Sequence, residues 1–439
     1  MSDDPSPPPP EPAPEPPVAV PAPDFPPVRP REIFGWCCFD FANSAFTTII
    51  ITVVYAVYFM EVVAAKDPRA AGWWGTTLAL SQVVVIVVSP LIGAVADVTA
   101  RKKQFLMATA LVCSLGTIAL YLVGPGAIWL ALALVGVANI AFSLSENLCA
   151  AFLPEISTPA NVGRISGYGW SFGYFGGLLS LGLALAIISS GSGRVSWTFV
   201  MTGAFFLLAC LPTLLLLRER ARRRALPPGQ SYLALGFGQI RQMLHEVPQH
   251  RTLAIFFGAM TLYVSGLTAV IAFASIYASE VIRMTQADII KLFAVLQLAG
   301  VGGAFGFGFL QDRFGAKLAL MLALVLWVVV SGWAAACRGA SEFFGVGIVA
   351  GIALGSLQSA GRAVVSTLTP PGRAGEFFGY WGFFGKLAAV IGQFVFGWLA
   401  TWLGFRLAIL ANGGFFLAGL LVLLGLRLAP KPGSSPSRV

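Results

Sequence analysis

Two short stretches that lie 215 residues apart decide the fold of this chain: residues 93–102 read GAVADVTARK, and residues 308–317 read GFLQDRFGAK. Each begins with a glycine, has an aspartate four positions later and ends on a lysine. A long apolar run precedes each stretch, and another follows it. Charged turns repeated at this distance between apolar runs predict a chain of two similar halves, each built from membrane-spanning helices.

A second repeat supports the duplication. A proline, a Gly-Tyr pair and a Phe-Gly pair occur twice, 212 residues apart. The members are Pro159, Gly167, Tyr168, Phe172 and Gly173 in the first copy, and Pro371, Gly379, Tyr380, Phe384 and Gly385 in the second. Because the two offsets are so close, we predict six helices in each half.

The composition excludes most other classes of protein. Of 439 residues, 57% are hydrophobic and only 11% are charged, whereas soluble domains carry about 25% charged residues. This excludes a soluble enzyme, a DNA-binding module and a secreted disulfide scaffold. The apolar runs are continuous rather than alternating, which favours helices over a β-barrel. One span needs about 20 residues, so the apolar content suffices for about twelve.

We therefore predict an all-α integral membrane protein of twelve transmembrane helices in two pseudo-symmetric six-helix halves. The predicted spans 1–6 cover residues 34–62, 73–96, 103–123, 127–152, 165–190 and 196–217. The predicted spans 7–12 cover residues 252–280, 288–310, 316–336, 343–368, 376–401 and 404–427. The predicted domains are a disordered Pro-rich tail (1–32), a first half (33–217), a basic linker with an amphipathic helix (218–251), a second half (252–428) and a second disordered tail (429–439).

Basic residues predict the orientation. We call the membrane face on which span 1 begins side A, and the opposite face side B. Side A receives 19 of the loop and tail lysines and arginines, and side B receives seven. The positive-inside rule makes side A cytoplasmic, with both termini inside. The membrane expected is a bacterial inner membrane.

The segments outside the spans have simple interpretations. The Pro-rich tail is read as a hydrated extension in preference to a partner-binding motif. The linker opens with a basic run at residues 218–224, and residues 232–246 have the pattern of an interfacial amphipathic helix. A surface anchor attracted to anionic lipid is favoured over a nucleic-acid patch. The six cysteines are read as packing residues, and His245 with His250 is too small a set for a metal site.

Several motifs resemble those of a known family. The two charged turns are similar to the signature loops of the major facilitator superfamily. Residues 36–46 (WCCFDFANSAF), 163–177, 358–362 (QSAGR) and 376–386 resemble the vacuole-effluxer-like branch, which includes fungal vacuolar amino-acid effluxers and bacterial relatives. The resemblance implies the major facilitator fold, with spans 1, 4, 7 and 10 lining a central cavity. It also implies transport of amino acids or related metabolites.

Polar residues within the spans are the candidate substrate and proton pathway, since a charge in hydrocarbon is costly unless it faces a cavity or a partner. The candidates are Asp40, Asn43, Asn139, Glu146, Gln358, Arg362 and Lys386. The alternative for the four charged ones is a structural ion-pair network that stabilises one closed state. Tyr55 and Tyr263 are further possible wall residues, although each is more often a packing residue.

The charged turns supply the candidate gating residues, because an aspartate facing a helix amino terminus of the other half would hold side A shut. They are Gly93, Asp97, Arg101, Gly308, Asp312, Arg313 and Lys317. Gly173 and Gly303 are expected at a close contact between spans 5 and 8, where the two halves meet.

These features favour a secondary transporter that carries a small polar solute by alternating access, with H+ as a possible coupling ion. The alternative is a membrane sensor or scaffold that keeps the transporter fold, and an enzyme ranks last. The glycine-rich residues 300–308 lie inside span 8 and follow no strand, so they do not indicate a nucleotide site. We expect no cofactor, no metal and no nucleic acid. The expected partners are a small-molecule substrate and membrane lipids, with a monomer as the working expectation.

Overall fold

The computed structural model describes residues 28–157, 161–191, 193–220, 223, 231–368 and 374–426. Within this part of the chain, twelve helices are long and apolar enough to cross a membrane. Spans 1–6 are Pro30–Val63, Ala70–Thr99, Lys102–Leu122, Ile128–Ile156, Val162–Ser189 and Trp197–Leu216. Spans 7–12 are Arg251–Glu280, Gln286–Phe314, Ala316–Ala336, Ala340–Leu368, Ala374–Leu403 and Phe405–Leu424. The predicted all-α membrane fold is confirmed.

Span 1 begins four residues before its predicted start. Pro30 occupies the first helical turn, where its missing N–H costs nothing. Two segments of this span, Phe46–Val53 and Phe59–Val63, are π-helical. Such wide turns are uncommon and are found frequently at functional sites. Both segments lie on the side-B part of span 1.

Small residues set the closest helix approaches. Gly75 of span 2 lies against span 11, such that a Cβ at Gly75 would be 3.2 Å from the Cα of Gly397. Small residues permit this proximity in lipid, where packing drives helix association. Spans 2 and 11 belong to different halves, so this is a contact between the halves.

The expected glycine contact between spans 5 and 8 differs from the observed one. Gly173 faces Ser44 of span 1, and a Cβ at Gly303 would lie 2.6 Å from the Cα of Ile352 in span 10. Both glycines therefore pack within their own half, contrary to our expectation of a contact between halves. The contact between spans 5 and 8 instead involves Gly177, beside the Gln297 side chain. Gly173 and Gly177 lie about one helical turn apart on nearly the same face. The depth and tilt of the helix therefore determine which of them meets span 8, and sequence spacing does not reveal it.

The internal repeat is visible in a pair of lysine contacts. Lys103 Nζ donates to the Leu217 carbonyl at the end of span 6, at 2.6 Å. Lys317 Nζ donates to the Leu426 carbonyl after span 12, at 2.5 Å. In each half, a lysine in the first turn of the third helix thus satisfies a carbonyl at the end of the last helix, where a positive charge is favourable.

The linker contains a helix, Tyr232–Gln249, in the region where the sequence indicates an amphipathic helix. Ser231 caps it, because its hydroxyl oxygen accepts the N–H of Ala234 at 3.1 Å. We call this element the linker helix. It packs against spans 2 and 7 on side A.

Candidate functional site

An ion pair joins the two halves near the middle of the membrane. Lys386 Nζ of span 11 lies 2.9 Å from Glu146 Oε2 of span 4. Lys386 is twelve residues into its helix, or about 18 Å at 1.5 Å per residue. Both residues were predicted from the sequence as pathway candidates, and the structure pairs them with each other.

The exposure of this pair indicates a water-accessible space between the halves. The Glu146 side chain is 50% exposed, whereas that of Lys386 is 19% exposed. A half-exposed carboxylate at this depth must face water or a substrate rather than lipid, since hydrocarbon disfavours a charge. The pair therefore marks the wall of a cavity.

Asp40 belongs to span 1 and lies against span 5. Its Oδ2 is beside Gly169, where the absence of a side chain makes room for both Asp40 and the Trp36 ring. Ser44 donates its hydroxyl hydrogen to the Asp40 carbonyl at 2.8 Å, and Trp36 donates its indole N–H to the Cys149 carbonyl of span 4 at 2.8 Å. The glycines of span 5 thus create the space that Asp40 occupies.

The remaining pathway candidates occupy different environments. Asn43 and Asn139 are buried in spans 1 and 4 of the first half. Gln358 is half-buried in span 10. The backbone of Arg362 is helical in span 10, but its side chain lies outside the described part of the structure.

A polar ladder between spans 2 and 4 was missed in the sequence. Gln82 Nε2 donates to Ser143 Oγ at 3.2 Å. Two turns further along span 2, Asn147 Nδ2 of span 4 donates to Ser89 Oγ at 2.9 Å. Gln82 and Ser89 lie seven residues apart within the apolar run of span 2, and this spacing was the available signal. The ladder holds span 4, and so Glu146, against span 2.

The halves are joined on side B by three further contacts. The Ser279 hydroxyl at the end of span 7 donates to Glu61 at the end of span 1. Gln286 of span 8 donates to the Val53 carbonyl in a π-helical turn at 2.9 Å. Trp74 of span 2 donates to the Ala272 carbonyl of span 7 at 3.3 Å. These three contacts hold the two halves together on side B.

The first charged turn makes contacts within its own half. Lys102 Nζ lies 2.9 Å from Asp97 and 2.7 Å from Glu155 at the end of span 4. The Asp97 side chain is 61% exposed, so it is accessible to a partner from the other half in another conformation. Gly93 is half-buried, and Arg101 is exposed.

The residues of the second charged turn have different surroundings. Gly308 is half-buried, and the Arg313 guanidinium lies over the Phe314 ring, 5.3 Å from its centroid. Lys317 caps span 12, as described above. The Asp312 side chain lies outside the described part of the structure.

The described residues contain no group of three or more His, Cys, Asp and Glu that could hold a metal ion. The six cysteines are buried and form no disulfide. What the site offers is a carboxylate and an ammonium, on different halves, that face one cavity. These groups can bind opposite charges, and the carboxylate can exchange a proton.

Comparisons with known sequences give a family. A family model described as "Vacuole effluxer Atg22 like" matches residues 74–429. The uncharacterized MFS-type transporter YxiO of Bacillus subtilis is 26% identical over 373 residues, which are 82% of this chain and 86% of that protein. Autophagy-related protein 22 of Yarrowia lipolytica is 23% identical over 300 residues, 60% of this chain and 50% of that protein. The chain thus spans about half the length of this fungal relative.

Solved structures give the fold. The nucleoside transporter NupG superposes with a TM-score of 0.65 at 16% identity, covering 90% of this chain and 98% of that one. A bacterial homologue of the human lysosomal transporter Spinster, inward-facing and unoccupied, also has a TM-score of 0.65 at 16% identity, covering 92% and 99%. The likeness at these identities establishes the major facilitator fold.

Proposed function

This chain belongs to the vacuole effluxer Atg22-like family of major facilitator transporters, and from that premise we propose that it moves a small zwitterionic solute, such as an amino acid or a related metabolite, by alternating access. Side A is then the cytoplasmic face, as the positive-inside rule predicts. Closure on side B makes the described conformation inward-facing. The membrane is the bacterial inner membrane.

One observation carries the proposal: the Glu146–Lys386 ion pair across the halves. A zwitterion presents an ammonium and a carboxylate, the same two charges that the pair presents to each other. Substrate binding can therefore replace the pair while each side chain keeps a partner of opposite charge. Because the two residues belong to different halves, exchanging the pair for a substrate also changes what holds the halves together.

Proton coupling is the second part of the proposal, with Glu146 as the coupling acid. A protonated Glu146 no longer attracts Lys386, so protonation loosens the contact between the halves. Uphill transport then draws on a proton gradient. Asp40 is the alternative coupling acid, and Arg362 is an alternative partner for the substrate carboxylate because its planar fork suits that group.

The test begins with a thermal-shift screen of amino acids and related metabolites on the purified protein, since a ligand that binds the native state raises its melting temperature. A hit is then followed in proteoliposomes. We expect Glu146→Gln to abolish accumulation driven by a pH gradient while solute exchange at equal pH continues. If Glu146→Gln retains full gradient-driven accumulation, Glu146 is not the coupling acid and Asp40→Asn is tested next.

Two matched variants separate the substrate partners. Lys386→Gln should weaken the thermal shift produced by the solute if Lys386 binds its carboxylate. Arg362→Lys should weaken it instead if the guanidinium fork does so, because an ammonium cannot reproduce two parallel hydrogen bonds. A protein that moves no solute from the screen, while folded and monodisperse, would favour the sensor or scaffold function.

A further inference from the structure

The linker helix carries two apolar faces, and only one of them packs on the spans. Met243 and Val247 are buried, on the same side as Gly236. A second row consists of Leu233, Phe237 and Leu244, which are 54%, 38% and 57% exposed. At 100° per residue these three side chains fall within about 40° of one another around the helix. We call them the exposed stripe.

The depth of the helix identifies what covers this stripe. A Cβ at Gly236 would lie 2.5 Å from the Pro90 carbonyl oxygen, so the linker helix touches span 2 at that point. Span 2 continues for nine residues beyond Pro90 to Thr99, or about 14 Å at 1.5 Å per residue. The linker helix therefore contacts span 2 about 14 Å inward from its side-A end. This is the depth of the side-A lipid headgroups. At that depth an exposed apolar row faces acyl chains rather than water.

The basic residues near the exposed stripe match an anionic lipid surface. Arg241 is exposed and lies about 40° beyond Phe237 around the helix. Arg251 is exposed just after the linker helix, and Arg218 is exposed at the start of the linker. A basic residue at the edge of an apolar row can reach lipid phosphates while the row enters the acyl region. Anionic lipid fits this surface better than a protein partner does.

The same helix contacts both halves of the transporter. Gly236 lies on span 2 of the first half, and Glu246 Oε2 accepts the Tyr380 hydroxyl of span 11, in the second half, at 3.3 Å. A helix held to the membrane and to both of these spans fixes the spacing that they have in the described conformation.

We propose that the linker helix is a lipid-dependent clamp: its exposed stripe and Arg241 bind anionic phospholipid of the side-A leaflet, and the bound helix favours the conformation open on side A. The clamp does not depend on which solute is transported. The linker helix is 18 residues long and is separate from the Glu146–Lys386 pair.

The first experiment tests the surface. The full chain carries one introduced cysteine, Phe237→Cys or Leu244→Cys, and is spin-labelled in nanodiscs of phosphatidylcholine with phosphatidylglycerol. The six native cysteines are buried, so labelling is selective. Gly238→Cys is the matched control, because Gly238 is exposed, has open space around it and lies on another face. We expect labels at 237 and 244 to be reached by oxygen, which partitions into lipid, and the label at 238 to be reached by a water-soluble nickel complex.

The second experiment tests the clamp. Spin labels at Gln104→Cys and Leu318→Cys, both exposed at the side-A ends of spans 3 and 9, report the distance between the halves. We expect phosphatidylglycerol to increase the long-distance population relative to phosphatidylcholine alone. Arg241→Gln should raise the phosphatidylglycerol fraction needed by about fivefold, the factor for about 1 kcal/mol per basic residue at an anionic surface. Arg338→Gln, on side B, should not.

Three results would overturn the proposal. Equal access of the nickel complex to 237, 238 and 244 would mean that the stripe faces water. Dipolar broadening between labels at 237, independent of lipid, would mean that a second copy of the chain covers the stripe. A distance distribution that is the same in both lipid mixtures would mean that the helix is an anchor without a clamp.

Discussion

Lys317 shows how a single residue of a charged turn can stabilise the end of a helix. Lys317 is a predicted gating residue, and its ammonium satisfies carbonyls at the end of span 12, as that of Lys103 does for span 6. We expect Lys317→Met to lower the free energy of unfolding by about 1 kcal/mol, because a charged hydrogen bond to a helix carboxyl end is lost. Thermal unfolding in detergent measures this. Arg313→Gln is the control, and an equal loss of stability there would contradict the capping role.

Glu219 offers a prediction about pH. It lies outside the spans, where burial raises the pKa of its carboxyl above 4.5, and the Lys103 N–H opposes that rise only in part. The folded state therefore holds this proton more tightly than the unfolded state, and stability falls as pH rises through the range above 4.5. Glu219 Oε1 is buried without a partner. Glu219→Gln should thus melt higher than the wild type at pH 7.

The same variant provides its own control. Well below pH 4.5 the wild-type carboxyl is protonated in both states, so the effect of charge on the difference in melting temperature should vanish there. A difference that stays constant from pH 4 to pH 8 would mean that shape, rather than charge, determines the effect.

At the scale of helices, a glycine that packs closely against another helix and a neighbouring glycine in open space should differ in their effect on folding. Gly303 packs on the Ile352 backbone within its own half, so Gly303→Leu should destabilise folding by about 1–3 kcal/mol or more through overpacking. Gly302 has open space around it, so Gly302→Leu should change stability by less than about 0.5 kcal/mol. Size-exclusion profiles and thermal unfolding compare the two. Similar losses for both would show that span 8 packs differently.

Gly177 is the position where bulk should affect movement between the halves. A Cβ there would lie 2.8 Å from Gln297 Oε1 of span 8. We expect Gly177→Val to leave each half folded while it shifts the balance between conformations, since the added methyl groups separate spans 5 and 8 on side B. Distances between spin labels on the two halves measure this shift, and an unchanged distribution would argue against the contact.

For the whole molecule, the two gates should respond in opposite directions. Ser279→Ala removes the hydroxyl that joins span 7 to Glu61, so it should favour opening on side B by about tenfold to a hundredfold, as expected for a hydrogen bond to a charged group worth about 1.5–3 kcal/mol. Asp97→Asn should favour opening on side A, because the neutral side chain no longer matches a helix amino terminus. Cysteines introduced into the cavity are labelled from each side of the membrane, and the labelling rates measure both changes. Identical labelling in both variants would contradict this assignment of the gates.

From the sequence we predict the class of protein, the twelve spans, the repeat and the family. These properties depend on length, hydropathy and motifs, which are local to short segments. The sequence also marked Glu146 and Lys386, because a charge within an apolar run is visible without a structure. Only the packing of the helices shows that these two residues, 240 positions apart, are partners. It also placed Gly173 and Gly303 inside their own halves, and it joined the linker helix to spans 2 and 11. The physical reason is that pairing depends on how each helix is rotated and how deeply it sits, and close packing of many distant side chains determines both.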